Sequence, residues 1–161
     1  SGKKYFSWKK DVFRTDYSVI IQRKPNRKGL MIINNEPSRA IDLTEQQAAM
    51  CFLMAKFLKR DSRVRDKNVG YVFLRDFKSN VAGWFSDKPS KKLLSESELK
   101  GTTHETKDSQ VLTQVMKIRD KLEQKGYNPE LIECLKGMAL KGRKMSTYRL
   151  STFPDRIKIQ E

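Results

Sequence analysis

Two patterns of apolar residues run along the chain. Short continuous apolar runs predict strands, and apolar residues three or four positions apart predict helices. The runs YSVIIQRK and GLMIINNE have strand character, and the turn-rich segment KPNRKG lies between them. A third short strand is expected from Arg39 to Leu43. These runs predict a small antiparallel sheet within residues 13–43. A final strand is expected in FPDRIKIQE, through Ile157 and Ile159.

Residues 44–60 predict the central core helix. Thr44 can cap its start, and Gln47 stands three positions on, where its side chain can reach back and complete a capping box. The helix ends in a basic cluster, which suits the negative pole of a helix dipole. Apolar residues cover much of its circumference, through Ala48, Cys51, Phe52, Ala55 and Leu58.

Two more helices are predicted after a loop at residues 61–69. An amphipathic helix is expected across residues 70–85, because its apolar positions are spaced by four, four and three, and core packing is favoured over partner docking for this stripe. A short helix is expected in LLSESELKG, with Ser95 as its cap. The stripe of the first of these helices consists of Phe73, Phe77, Val81 and Trp84.

The segment KDSQVLTQVMKIRDKLEQKG predicts a basic amphipathic helix that ends at Gly126. Its apolar stripe is Val111, Val115, Ile118 and Leu122, spaced by four, three and four. Side chains that can donate hydrogen bonds to phosphates and base edges lie opposite, at Gln110, Thr113, Gln114, Lys117 and Lys121. The strand-like runs LIECLKG and STYRLS then flank a loop that contains Lys141, Arg143 and Lys144, which predicts a basic β-hairpin.

The positive charge of the chain indicates which class of partner it binds. Lys and Arg number 34 against 19 Asp and Glu, for a net charge of +15, and the excess recurs in residues 1–41, 56–95 and 107–149. A folded surface this basic predicts a polyanion as partner, with nucleic acid first and an anionic membrane surface second. A basic protein without such a partner is the plain alternative.

The sequence offers little for catalysis. His104 is its single histidine, its Asp residues are scattered, and it has no glycine-rich phosphate loop, so no enzyme, cofactor or metal site is expected. Cys51 and Cys134 are expected to fill core positions. No apolar run reaches membrane-spanning length and no signal peptide is present, which predicts a cytoplasmic protein without a membrane partner. A start at Ser1-Gly2 leaves open whether the chain is a fragment of a longer protein.

Several short motifs resemble the OmpR/PhoB-type winged helix, the output domain of many bacterial response regulators. Ile41-Asp42-Leu43-Thr44 is similar to the strand and helix start of that family, and residues 94–99 are similar to its second helix. Residues 115–123 resemble its recognition helix. Its wing is similar to Leu131-Ile132, Lys136-Gly137 and Tyr148-Arg149-Leu150. The chain departs from the family at Gln47, where Glu is usual, in a long segment after the first helix, in a lengthened wing turn from Met138 to Ser146, and in lacking a receiver domain.

The resemblance implies a single α+β domain over residues 1–161. Its fold would be a winged helix-turn-helix with a small N-terminal antiparallel sheet, three core helices plus an inserted helix, and a C-terminal β-hairpin wing. Its parts would be a basic arm (1–12), the sheet (13–43), the core helix (44–60), an insertion (61–92), the helix-turn-helix (93–126), the wing (130–152) and a tail (153–161).

The function implied is sequence-specific binding of double-stranded DNA by a nucleoid-associated transcriptional regulator, with or without a homodimer on repeated half-sites. The helix over 107–125 would enter the major groove, and the wing over 136–149 would lie on the backbone or in the minor groove. Thr113, Gln114 and Lys117 are the base-reading candidates. The full set of expected DNA contacts is Gln110, Thr113, Gln114, Lys117, Arg119, Lys121, Lys136, Lys141, Arg143, Lys144 and Arg149.

Two points stay open at this level. Arg119 and Lys121 are either phosphate contacts or members of surface ion pairs. The rival to DNA binding is a winged helix that serves as a protein- or RNA-interaction module in a replication or secretion assembly, with an acidic protein as one candidate partner. RNA binding would favour single strands and would use exposed aromatic rings for stacking.

Overall fold

A computed structural model of the chain describes residues 13–61, 70–73, 104–140 and 143–160, with the backbone alone at 73, 104–110, 136–140 and 143–145. The fold of these residues is α+β, as expected. In chain order they form β1 (Val19–Arg23), β2 (Gly29–Ile33), β3 (Ile41–Leu43), α1 (Glu45–Arg60), β4 (Val72–Phe73), α2 (His104–Gln124), β5 (Ile132–Leu140), β6 (Arg143–Leu150) and β7 (Ile157–Gln160).

The first sheet has the strand order β3-β2-β1-β7. The three predicted strands pair antiparallel, as expected. The strand predicted in the C-terminal segment is also present, and it pairs parallel to β1 with Ile21 opposite Ile159. The sheet is therefore mixed rather than antiparallel, and the segment expected as a tail completes it, because Ile157 packs into the core beside β1.

The second sheet joins the hairpin to residues that were expected to be helical. Its order is β4-β6-β5, and Val72 lies opposite Tyr148. The prediction of a helix across 70–85 is wrong at residues 72–73. Gly70 precedes them with φ of +78°, which is not a helical conformation. Val72 is fully buried, and its β-branched side chain favours the extended backbone of a strand. The remainder of that segment lies outside the described residues.

The hairpin has longer strands than expected. Ala139 pairs with Lys144 and Leu140 with Arg143, so Arg143 and Lys144 belong to β6 and not to a loop. The register shifts between Leu135 and Met138. Two residues of β5 there face one residue of β6, which is a β-bulge and increases the local twist of the hairpin.

Helix α1 is the central core helix, as predicted. The capping box is present: Thr44 Oγ1 accepts from the backbone N–H of Gln47, and Gln47 Oε1 accepts from the backbone N–H of Thr44. The helix contacts strands of both sheets and α2. Cys51 is a fully buried free thiol whose pKa is raised to about 12 by burial, so it fills a core position as expected. Cys134 is half-buried, packs against the same core and forms no disulfide.

Helix α2 is anchored along the predicted stripe and stops at the predicted glycine. Val111, Val115, Ile118 and Leu122 are all fully buried. At the helix end Gly126 has φ of +80°, its N–H donates to Glu123 O (2.9 Å), and the N–H of Tyr127 donates to Leu122 O (2.9 Å). This is a Schellman motif, which satisfies the last carbonyl groups of the helix.

An arginine from the 3-10 turn between β2 and β3 secures this helix end. Arg39 Nη2 donates to Lys125 O at 2.5 Å, and the guanidinium lies 4.3 Å from the ring centroid of Tyr127. Arg39 also pairs with Glu36 at 2.8 Å. The C-terminus of α2 is therefore fixed to the sheet by a charge-assisted bond, which holds the position of the whole helix.

Several predicted parts lie outside the described residues: the basic arm at 1–12, most of the 61–92 insertion, and the LLSESELKG helix that would be the second of the three core helices. Along the described ranges, no helix combines the length and the apolar character needed to cross a membrane.

Candidate nucleic-acid interface

The side of α2 opposite its buried stripe faces solvent. Thr113 and Lys117 are exposed, and Met116 is exposed by 47%. Gln114 is half-buried beside them. Toward the C-terminus the exposed residues include acidic ones, such as Asp120 and Glu123. The face that suits a polyanion is therefore the part of α2 around residues 113–117.

The start of α1 lies beside this face. Residues 44–47 line an open concavity of about 440 Å³ together with Gln114, Lys117 and Lys121. The first turn of a helix presents unpaired N–H groups and the positive end of the helix dipole, so it favours anions. Glu45 offsets part of that charge, but its carboxylate is paired with Arg27 at 3.5 Å. The concavity thus combines a helix N-terminus with two lysines.

Lys121 is held in place by the protein. Its Nζ donates to the backbone oxygen of Asp42 (2.8 Å) and to Gln47 Oε1 (2.6 Å). Burial lowers the pKa of Lys121, and the charge of Asp42 opposes that shift. An ammonium has three donors, so one remains for a ligand in the concavity. Lys121 therefore fixes the side chain of Gln47 in the wall of the concavity and also gives the concavity a positive charge.

Arg119 does not face the concavity. Its Nη1 donates to Ile132 O (2.6 Å), and its Nη2 pairs with Glu130 Oε1 (2.9 Å). Of the two roles left open for this residue, ion pairing is the one observed. The guanidinium ties α2 to the start of β5, and these bonds compete with any contact to phosphate.

Arg149 is a core residue, which contradicts its expected contact with DNA. It is 1% exposed, and its Nε donates to Glu133 Oε2 at 2.6 Å. Its guanidinium lies 4.7 Å from the ring centroid of Phe13 and 4.3 Å from that of Tyr71. Glu133 and Arg149 face each other across the hairpin, a position at which opposite charges stabilise a strand pair.

Glu133 is the center of this buried group. Burial alone would raise its pKa, but the charge of Arg149 and hydrogen bonds from Arg149, Tyr71 and Ser151 hold the pKa below its ordinary value. Burial raises the pKa of Tyr71 to about 12. Arg14 adds a second ion pair at 3.4 Å. The group joins the segment before β1 to the hairpin and β4.

For the remaining expected contacts, the structure describes the position of the backbone but not of the side chain. Gln110 lies in α2, Lys136 lies at the β-bulge, and Arg143 and Lys144 lie in β6, while Lys141 lies outside the described residues. The structure therefore brings Gln114, Lys117 and Lys121 together with the start of α1. It separates Arg119 and Arg149 from that group.

No known protein family, curated protein or solved structure matches this chain. The likeness to OmpR/PhoB-type domains rests on the short motifs quoted above. In the described ranges, no three His, Cys, Asp or Glu residues come together in a way that could hold a metal ion.

The first turn of α1 was not among the expected contacts. Its capping box could be predicted from Thr44 and Gln47, since that motif is local. Its position next to α2 depends on how the two helices cross, and nothing in the spacing of residues 44–47 encodes that. Two hydrogen bonds link the helices directly at this point: Gln47 Nε2 donates to Gln114 Oε1 (3.2 Å), and Lys121 Nζ donates to Gln47 Oε1 (2.6 Å).

Proposed function

We propose that this chain binds double-stranded DNA, with the exposed face of α2 in the major groove and the hairpin on the adjacent backbone or minor groove. The concavity is the observation that carries the proposal. It places two lysines and a helix N-terminus, all suited to phosphate, next to side chains suited to base edges. The buried stripe fixes the helix that presents them.

Each residue of this surface has a plain chemical role. Thr113, Gln114 and Lys117 would reach base edges, since the major groove admits a helix and offers acceptors to amide and ammonium donors. Lys121 and the first N–H groups of α1 would hold a phosphate at the rim of the groove. Binding of this kind needs no chemical step, so the proposed activity is binding without catalysis.

The hairpin follows α2 in the chain, as the wing follows the recognition helix in OmpR/PhoB-type domains, and it would add to the DNA-binding surface. Lys136, Arg143 and Lys144 are the basic residues of its described backbone near the turn. Positive side chains there would contact phosphates or a narrow minor groove, where the negative potential is enhanced. Arg149 is left out of this set because it is buried. Regulation of transcription, with or without a homodimer on repeated half-sites, is the role proposed for such a module.

The class of partner is tested by titrating the protein against labeled random-sequence duplex DNA, single-stranded RNA and anionic vesicles at low and moderate salt. We expect duplex binding that weakens steeply as salt rises, because phosphate contacts release counterions. Tighter binding to single-stranded RNA would favour an RNA module, and vesicle binding alone would favour a membrane surface. Absence of duplex binding at low salt would refute the proposal.

A further inference from the structure

Gln47 is a buried polar side chain with a fixed orientation. It is 1% exposed. Its Oε1 accepts from the backbone N–H of Thr44 (3.2 Å) and from Lys121 Nζ (2.6 Å). Both of these groups are donors only, so the oxygen of Gln47 must face them. The amide nitrogen of Gln47 therefore has to face Gln114.

This orientation determines that of Gln114. Gln47 Nε2 donates to Gln114 Oε1 at 3.2 Å, so the oxygen of Gln114 faces inward and its nitrogen faces away from Gln47. Gln114 is half-buried and lines the concavity beside Lys117. Within the described ranges its Nε2 has no hydrogen-bond partner.

We propose that Gln47 is a positioning residue that makes Gln114 a hydrogen-bond donor toward DNA, and thereby sets the base preferred at one position without touching the DNA. The inference rests on the proposed function. In the major groove, guanine offers two acceptors, N7 and O6, whereas adenine N6 and cytosine N4 are amino donors. An amide that presents its nitrogen can donate to both acceptors of guanine but to only one acceptor of adenine (N7) or thymine (O4), so it favours guanine. A freely rotating Gln would instead bond adenine through both of its groups.

The substitution Gln47→Glu reverses this polarity. A carboxylate has acceptors only. It can still accept from Thr44 and Lys121, but it now requires a donor from Gln114, which must turn its nitrogen inward and its oxygen toward DNA. An outward oxygen favours adenine or cytosine. Glu is also a preferred capping-box residue at this position, so α1 keeps its start.

The experiment is selection of binding sites from a randomised duplex library by the wild-type chain and by three variants. Gln47→Glu is the test variant. Gln160→Glu is the matched control, since it adds the same charge at an exposed position of β7, outside the concavity. Gln114→Glu also places an acceptor toward DNA, because one carboxylate oxygen accepts from Gln47 and the other faces outward.

We expect the wild type and Gln160→Glu to favour guanine at one position by about tenfold. Gln47→Glu and Gln114→Glu should favour adenine or cytosine at that position. The inference is overturned if Gln47→Glu keeps guanine, or if the wild type binds duplex DNA without a preference for guanine at that position. Failure of the proposed function is a separate result, since the wild type would then not bind the unselected library at low salt. Circular dichroism of each variant checks that it folds. If Gln47→Glu does not fold, Gln47→Met takes its place: it removes the donor to Gln114, so the preference should relax from guanine toward adenine, and a retained guanine preference would overturn the inference.

Discussion

Replacing Arg149 with Met is expected to lower the free energy of unfolding by about 3–5 kcal/mol, the cost of leaving one partner of a buried ion pair without the other. Glu133 is 6% exposed, and Arg149 donates to it at 2.6 Å. Arg14 contacts the same carboxylate at 3.4 Å, but its side chain is 58% exposed, so it cannot replace the buried guanidinium. Urea denaturation at neutral pH measures the effect.

The double variant Arg149→Met/Glu133→Gln is the control for this prediction. It removes the buried charge together with its partner, so we expect it to be more stable than Arg149→Met alone. The salt dependence of duplex binding by folded Arg149→Met should match that of the wild type. A loss below about 1 kcal/mol, as for exposed ion pairs, together with a weaker salt dependence, would return Arg149 to the DNA-contact set.

Replacing Ile118 with Ala is expected to cost about 2–5 kcal/mol of stability, because it deletes a fully buried side chain and leaves a cavity. Ile118 is 0% exposed and belongs to the stripe that packs α2 into the core. Loss of this contact weakens the attachment of the helix that carries Gln114 and Lys117. Duplex binding should therefore fall with rising temperature earlier in this variant than in the wild type.

Met116→Ala is the matched control for Ile118→Ala. It shortens an apolar side chain two positions away on the same helix, but Met116 is 47% exposed. We expect its free energy of unfolding to stay within about 0.5 kcal/mol of the wild type, as for most surface substitutions. Equal losses from the two variants would mean that α2 is not anchored by the side of the helix that carries Ile118.

The parts of the fold that followed from the sequence are those that local patterns specify. The stripe of α2 was predicted because its four apolar residues repeat at the helical period, and they are the ones buried. Thr44 and Gln47 were predicted as a capping box because its partners lie three residues apart. Gly126 was predicted as the helix end because a glycine readily adopts positive φ.

The parts that were missed depend on contacts between distant residues. The strand at residues 72–73 forms only because β6 is present to pair with it, and the apolar spacing of that segment also fitted a helix. The parallel pairing of β7 with β1 joins residues at opposite ends of the chain. The positive charge of Arg149 predicts a surface residue, and charge alone does not reveal that its side chain is buried. Its cross-strand partner Glu133 was visible only once the register of the hairpin was known.

The residues of the candidate site also fall into two groups, those that the sequence predicts and those that depend on tertiary packing. Gln114 and Lys117 could be selected from the sequence, since they lie opposite the apolar stripe. The first turn of α1 could not, because its approach to α2 depends on tertiary packing. Lys121 was selected for its charge, but its bonds to Asp42 O and Gln47 Oε1 give it a positioning role that spacing does not encode.

The salt dependence of duplex binding by Lys117→Ala is the most direct test of α2 as the DNA-contacting helix. Lys158→Ala is the matched control, since Lys158 is an exposed lysine on β7, outside the concavity. If Lys117 lies in the groove as proposed, its charge neutralises part of the nearby phosphate charge, so Lys117→Ala should weaken duplex binding and make the log–log slope of affinity against salt shallower by up to about 0.9. The slope for Lys158→Ala should equal that of the wild type. An unchanged affinity and slope for Lys117→Ala, or the same change in both variants, would contradict the placement of α2 on DNA.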